Sequence, residues 1–324
     1  MGGGWRSAMQ AALYGDGGFF TREEPADHFR TSVHASPLFA GALARFAVRV
    51  DEALGHPAVF DLVDVGAGRG ELIAGMLAAL PSGLAGRVRA TAVEVAPRPG
   101  GLDPAVHWRP GLPDRVTGLL MATEWLDNVP LDVLETDEHG RLRKVLVDPA
   151  TGAETLGAPA DPADLFWAGR WWPGPGRIEV GTPRDRAWAD AVDAVRHGVA
   201  LCVDYGHVQA ERPAFGTLTG FRDGRQVPPV PDGSCDVTAH VAMDSVAAAT
   251  GAPFHLLRQR EALRSLGVDG SRPSLELAHT DPVGYLRRLS TAGAAAELTD
   301  PTGLGGHWWL WHEVGLGERG TMLG

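Results

Sequence analysis

The sequence predicts an α/β fold: a largely parallel sheet wound in βαβ units, with a helical segment before it and a lobe inserted into it. Three observations carry the prediction. Phe60-Asp-Leu-Val-Asp-Val is a strand-like run that leads into Gly66-Ala-Gly-Arg-Gly and then into a helix from Glu71 to Leu80. Val88–Val95 and Gly118–Thr123 repeat the strand pattern. Val199–Asp204 is a further continuous apolar run, the composition required of a parallel strand covered on both faces.

The remaining elements follow from periodicity and punctuation. Apolar residues at 38, 39, 42, 43, 46, 47 and 50 keep the helical period, so Leu38–Leu54 is an amphipathic helix. Pro81 stops the helix that begins at Glu71. Leu131–Val147 alternates across Glu138-His-Gly-Arg and reads as a β-hairpin. Residues 149–185 are rich in Pro and Gly but carry Trp167, Trp171 and Trp172, side chains that demand burial, so this stretch is a folded lobe. Arg186–His197 is helical, with Trp188, Val192 and Val195 on one face. Residues 205–235 form a long Pro-rich connection, either functional or partly structured. Thr238–Thr250 reads as a helix and Trp308–Val314 as a last strand.

Composition limits the function classes. A chain of 324 residues exceeds one minimal domain, and 44% hydrophobic residues suffice for a sizeable core. The net charge of −11 is spread along the chain without a Lys/Arg cluster, which argues against nonspecific binding to a phosphate backbone and favours a cationic partner or substrate. The alternative is that the charge serves solubility. No apolar run reaches the roughly 18–20 residues that span a bilayer. Met1-Gly-Gly-Gly-Trp-Arg-Ser has neither signal-peptide nor transit-peptide character, so a cytoplasmic location is expected. Arginine in place of lysine, with abundant Ala, Gly and Pro, suggests a GC-rich bacterial genome. Cys202 and Cys235 are too few for a disulfide framework or a four-cysteine zinc site. His307 and His312 are five apart, which on a strand sends them to opposite faces, so no metal site is expected.

The chemistry centres on Val63-Asp-Val-Gly-Ala-Gly-Arg-Gly, between a strand and a helix, where doubly wound sheets bind nucleotides. A dinucleotide fingerprint is G-x-G-x-x-G. Here the third glycine comes one residue early, at Gly70, and Glu71 follows it. A glutamate in the first helical turn opposes a phosphate at the helix N-terminus and opposes a sulfonium cofactor far less. The pattern resembles motif I of class I methyltransferases, and the physical reading agrees with that resemblance. It implies Asp64, Gly66, Ala67, Gly68, Gly70 and Glu94 as the candidate S-adenosylmethionine residues, with Glu94 placed to accept hydrogens from both ribose hydroxyls. An NAD(P) site, a plain βα turn and a solvated Glu94 are the competing readings.

Further motifs extend the likeness. Gly18-Phe-Phe and His28-Phe-Arg-Thr-Ser-Val-His-Ala-Ser-Pro-Leu-Phe are followed by Thr123-Glu-Trp-Leu-Asp-Asn-Val-Pro, Asp204-Tyr-Gly-His and Asp236-Val-Thr-Ala-His-Val. In this order they resemble the MidA family of methyltransferases, which includes the mitochondrial complex I assembly methyltransferase. His28, Arg30, Thr123 and Asn128 stand where that family has Asp, Tyr, Asn and Ala, and the first two put the substrate's identity in question. The resemblance implies a Rossmann-like class I methyltransferase sheet with an N-terminal helical cap over residues 1–55, a cofactor-binding core over 56–130 and 198–324, and an inserted lobe over 131–197. It also implies a protein arginine nitrogen as acceptor. A small-molecule methyltransferase of bacterial metabolism and a cofactor-binding assembly factor are the alternatives, and the oligomeric state is open.

Glu124, Asp127, Asp204 and His240 are the candidate catalytic residues. Glu124 and Asp127 follow the fourth strand, where paired carboxylates can hold a guanidinium and accept a proton; Glu124 can also reach the cofactor. Asp127 is otherwise a cap for the turn before Pro130. Asp204 closes a buried strand and needs a partner. Asp236 is a site residue or a helix N-cap, and His240 is a base or a structural histidine.

Overall fold

The computed structural model describes residues 2–22, 32, 36–317 and 322–323. His28 and Arg30 lie outside the described residues.

Seven strands form the main sheet: β1 (Phe60–Val65), β2 (Val88–Val93), β3 (His107–Arg109), β4 (Val116–Thr123), β5 (Val195–Asp204), β6 (His255–Arg258) and β7 (Trp308–Val314). Their order across the sheet is β6-β7-β5-β4-β1-β2-β3. The block from β5 to β3 is parallel, whereas β7 runs antiparallel to both β5 and β6. Both faces are covered, and alternate residues go to opposite cores. Leu62, Met121 and Leu201 pack with Phe39, Leu43 and Phe46 of the helix Pro37–Ala53. Val63, Leu120 and Cys202 pack with Trp188, Val192 and Met243 on the other side. This two-sided burial is why the strands read as unbroken apolar runs.

Local chemistry sets the element ends. Ser36 Oγ accepts the Leu38 N–H at 3.1 Å and Pro37 opens the helix, so its entry is capped and preorganised. The helix after β1 ends at Ala79, with Leu80 extended before Pro81.

The lobe is a second sheet. Val133–Thr136 and Leu142–Val147 form the expected hairpin, flanked by Arg177–Glu179 and Glu154–Pro159. Gly3–Gly4 adds an edge to it by pairing with Leu146 and Val147. The helix Trp5–Tyr14 then buries Trp5, Met9 and Leu13 against Val133, Val145 and Val147. The N-terminal 55 residues are thus divided: their first helix packs on the lobe and their last packs on the main sheet. Trp167 and Trp172 are buried in the lobe, as tryptophans there require.

Two helices differ from expectation. The one expected at Arg186–His197 runs Thr182–Asp193, because Val195–His197 already belong to β5. The one expected at Thr238–Thr250 is confined to Met243–Ala248. Before it, Asp236–Thr238 pairs with Thr219–Phe221, and Val241–Ala242 pairs with Gly206–His207. The Ala239 N–H donates to Asp127 O and the Val241 N–H to Tyr205 O, so this stretch is held by strand pairing and by carbonyls of other segments instead of winding into the first turn of a helix. Asp236 is therefore a strand residue and not an N-cap, and His240 is not on a helix.

Candidate active site

Three loops at the carboxyl ends of β1, β2 and β4 converge. After β1, Gly66 and Gly68 adopt φ of 71° and 57°. A Cβ on Gly66 would lie 2.8 Å from the Trp125 ring, so this glycine is required by the indole beside it. A Cβ on Gly68 would meet nothing closer than Glu71 Oε2 at 3.8 Å; here the backbone is open to a ligand.

Glu94 follows β2. Its Oε1 accepts the N–H groups of Val95 at 2.7 Å and Ala96 at 3.0 Å, and its Oε2 accepts the Gly68 N–H at 3.0 Å. Three backbone donors therefore fix the carboxylate against the glycine loop. Asp64, on β1, is 1% exposed. Neither of its carboxyl oxygens has a hydrogen-bond partner among the described residues. Burial, reinforced by the charges of Glu94 and Glu71, pushes its pKa up to about 8; the nearby Ile73 N–H tempers the shift without making a regular hydrogen bond.

Glu124 follows β4 with φ of 50°, a conformation costly for a non-glycine residue and common at functional sites. Its N–H donates to Val203 O at 2.7 Å, which holds the backbone in place. Its Oε1 accepts the Ser32 N–H at 2.8 Å and lies 4.0 Å from His307 Nδ1.

These loops enclose a cavity of about 600 Å³. Asp64, Gly66, Ala67, Gly68, Glu94 and Glu124 all line it, together with Glu71, Trp125 and the stretch Asn128–Pro130. Gln10, Tyr14 and Phe20 from the N-terminal segment also line it. Four acidic residues line this space, and no Lys, Arg or His does so among the described residues.

The other sequence candidates lie outside that lining. Gly70 N-caps the helix Glu71–Ala79 with φ of 83°. The chain after Trp125 makes a short 3-10 turn, Leu126–Asn128, that carries the Asp127 side chain inward. Asp127 Oδ2 accepts from Tyr205 Oη and, at 2.9 Å, from Thr238 Oγ1. Asp204 Oδ2 accepts the N–H groups of Leu126 at 2.9 Å and Asp127 at 3.3 Å, so Asp204 has its partner in the turn itself. Burial raises the pKa of both Asp127 and Asp204. His240 is exposed, its ring 5.2 Å from that of Tyr205. The pair Glu124 and Asp127, adjacent in sequence terms, is thus split: one faces the cavity and the other the interior.

Sequence reasoning missed Arg184. It is 1% exposed and donates to the carbonyls of Asp127, Val129, Ala239 and His240, which clamps the turn after β4 to the segment after Thr238. Nothing in its local sequence marks it. Gln10 and Tyr14 were missed too, although their helical spacing of four places them on one face.

Residues 42–258 match the model of a family described as "Putative S-adenosyl-L-methionine-dependent methyltransferase". The chain belongs to this family. The methyltransferase is also similar in fold to a crystallised protein from Burkholderia thailandensis, described as a "likely methyl transferase" and bound to S-adenosyl-homocysteine. Identity is 24%, the match covers 98% of this chain and 89% of the other, and the TM-score is 0.79. A native crystal structure of a protein of the same superfamily, from the same organism, gives the same values. No curated protein sequence matches the methyltransferase.

The residues present fit S-adenosylmethionine. Gly68 leaves backbone open to the ligand, Glu94 is held rigidly for hydroxyl donors, and the unpartnered Asp64 carboxyl suits a cationic group. The bound cofactor supplies an electrophilic methyl group on a positively charged sulfur.

Proposed function

We propose that the methyltransferase acts on a guanidinium nitrogen of a protein arginine, as a MidA-like enzyme with a Rossmann-like class I sheet. The observation that carries the reading is the acidic lining of the cavity: Glu71, Glu94 and Glu124, with Asp64 as a fourth acid that burial keeps largely protonated at neutral pH in the cofactor-free protein, and no basic side chain among the described residues. A cationic cofactor and a cationic acceptor are both favoured there over neutral or anionic ones. Asp64 and Glu94 serve the cofactor end. Glu124 orients the acceptor and takes the proton that its nitrogen loses as the N–CH3 bond forms and the S–CH3 bond breaks. Asp127, Asp204 and Arg184 are positioning residues that hold the turn carrying Trp125 and Asn128. His240 sits at the outer end of that network beside Tyr205.

A small-molecule acceptor is the second reading, supported by the aromatic and apolar wall of Tyr14, Phe20, Val129 and Pro130. Glu124 in the cavity lining supports catalysis over a role confined to holding a partner. The test is incubation of lysate proteins with methyl-labelled S-adenosylmethionine, then acid hydrolysis and mass spectrometry. Labelled methylarginine is expected in the protein fraction. Label confined to small molecules would refute the arginine reading.

A further inference from the structure

We infer that Tyr14 and Phe20, with Gln10, form the acceptor subsite: an aromatic wall on which the planar face of a guanidinium lies. The inference rests on the arginine reading above and adds the residues that recognise the group.

Two unlike sets of groups line the cavity. One is the glycine loop with Asp64 and Glu94, the groups that suit the cofactor. The other comes from the N-terminal segment. Gln10 and Tyr14 stand one helical turn apart on the helix Trp5–Tyr14, and both reach the cavity. Phe20 joins them: its ring centroid is 5.5 Å from that of Tyr14, with 35° between the planes. Phe19 meets Phe20 edge-on at 5.4 Å and 80° and is itself fully buried, so it props the Phe20 ring from behind.

This wall is held rigidly. Gly3–Gly4 is an edge of the lobe sheet, Trp5 Nε1 donates to Glu154 at 2.6 Å, and the Arg6 N–H donates to Asp132 at 3.1 Å. Trp5, Met9, Leu13 and Phe19 are wholly buried, while Tyr14 and Phe20 are only half-buried. The anchors and the presenting residues are therefore different side chains. Tyr14 Oη also donates to Asn128 O at 3.3 Å, which fastens the wall to the turn after β4, close in sequence to Glu124. Burial, with the negative charges of Asp236, Asp127 and Glu94, holds the Tyr14 phenol well above its ordinary pKa, so it stays a neutral donor with an electron-rich face. An aromatic face attracts a planar cation, and Gln10 offers an amide oxygen to its N–H groups.

The probe is ethylguanidinium, titrated into protein saturated with S-adenosylhomocysteine and followed by saturation-transfer NMR, with neutral ethylurea as its isostere. Wild type should bind ethylguanidinium saturably and ethylurea much more weakly. Phe20→Ala and Tyr14→Leu should each weaken ethylguanidinium about three- to tenfold, the scale of a cation–π contact. Affinity for S-adenosylhomocysteine and the melting temperature serve as folding controls, and Phe20→Tyr should restore binding. Equal ethylguanidinium affinity in wild type and both variants overturns the subsite and leaves the arginine reading standing. Saturable binding of ethylurea without any of ethylguanidinium overturns the arginine reading and the inference with it.

Discussion

The backbone N–H of Gly68 donates to Glu94 Oε2 at 3.0 Å, so the turn after β1 is fastened to the end of β2 by the carboxylate assigned to the ribose. Glu94 orients the glycine loop, and its proposed second task is to hold the cofactor's ribose. Glu94→Ala should weaken S-adenosylhomocysteine by about 1.5–3 kcal/mol, the scale of hydrogen bonds to a charged group. Calorimetry with the cofactor product and its deoxyribose analogues checks this. Equal discrimination of the analogues by wild type and mutant would show that Glu94 does not reach the ribose.

Gly66 and Gly68 should separate by phenotype although they are two residues apart. Gly68→Val puts its side chain into the cavity and adds about 1–3 kcal/mol of backbone strain at φ 57°. It should abolish cofactor binding in a protein that still folds. Gly66→Ala forces a Cβ to within 2.8 Å of the Trp125 ring and should lower the melting temperature first. Thermal melts and cofactor titrations on both variants decide the matter.

Asp127→Asn should act on the turn and not on the cofactor. Its carboxylate receives Tyr205 and Thr238 and does not border the cavity, so the expected loss is about 1–3 kcal/mol of stability with cofactor affinity unchanged. Turnover per folded molecule should fall only as far as the turn shifts Glu124 and Asn128. A collapse of turnover at full stability would return Asp127 to direct contact with the acceptor.

Asp64 should make the cofactor-free protein less stable as pH rises. Its pKa is about 8 in the folded protein against about 3.9 in an unfolded chain, so the folded state binds more protons throughout that interval. Stability from this group is fully present below about pH 4 and is lost progressively up to about pH 8. His207 and His307, held near 3 and 4 by burial, give the opposite slope below about pH 6.5, so the clearest window lies between about pH 6.5 and 8. Urea denaturation across that window should show wild type losing stability relative to Asp64→Asn. Parallel pH profiles for the two proteins would mean that Asp64 is already ionised in the fold.

The sequence by itself determined five of the seven sheet strands (the short β3 and β6 have no apolar run long enough to show), the glycine turn with Asp64 and Glu94 around it and the hairpin at Leu131–Val147, and its motifs pointed to the cofactor. These are written in signals that act over a few residues: apolar runs, glycines at a tight turn, a carboxylate at a strand end. The tertiary structure decided which acids reach the cavity. Glu124 and Asp127 carry the same charge three residues apart, and only the 3-10 turn and the donors of Tyr205 and Thr238 send one outward and the other inside. It also decided against a helix from Thr238, because Asp236–Thr238 and Val241–Ala242 are drawn into strand pairs with Thr219–Phe221 and Gly206–His207. The clamp of Arg184 and the wall of Gln10, Tyr14 and Phe20 are of the same kind. Arg184 reaches carbonyls 55 to 57 residues away, and the wall rests on Tyr14 reaching Asn128 and on the sheet edge that Gly3–Gly4 shares with the lobe, so local periodicity carries no trace of either.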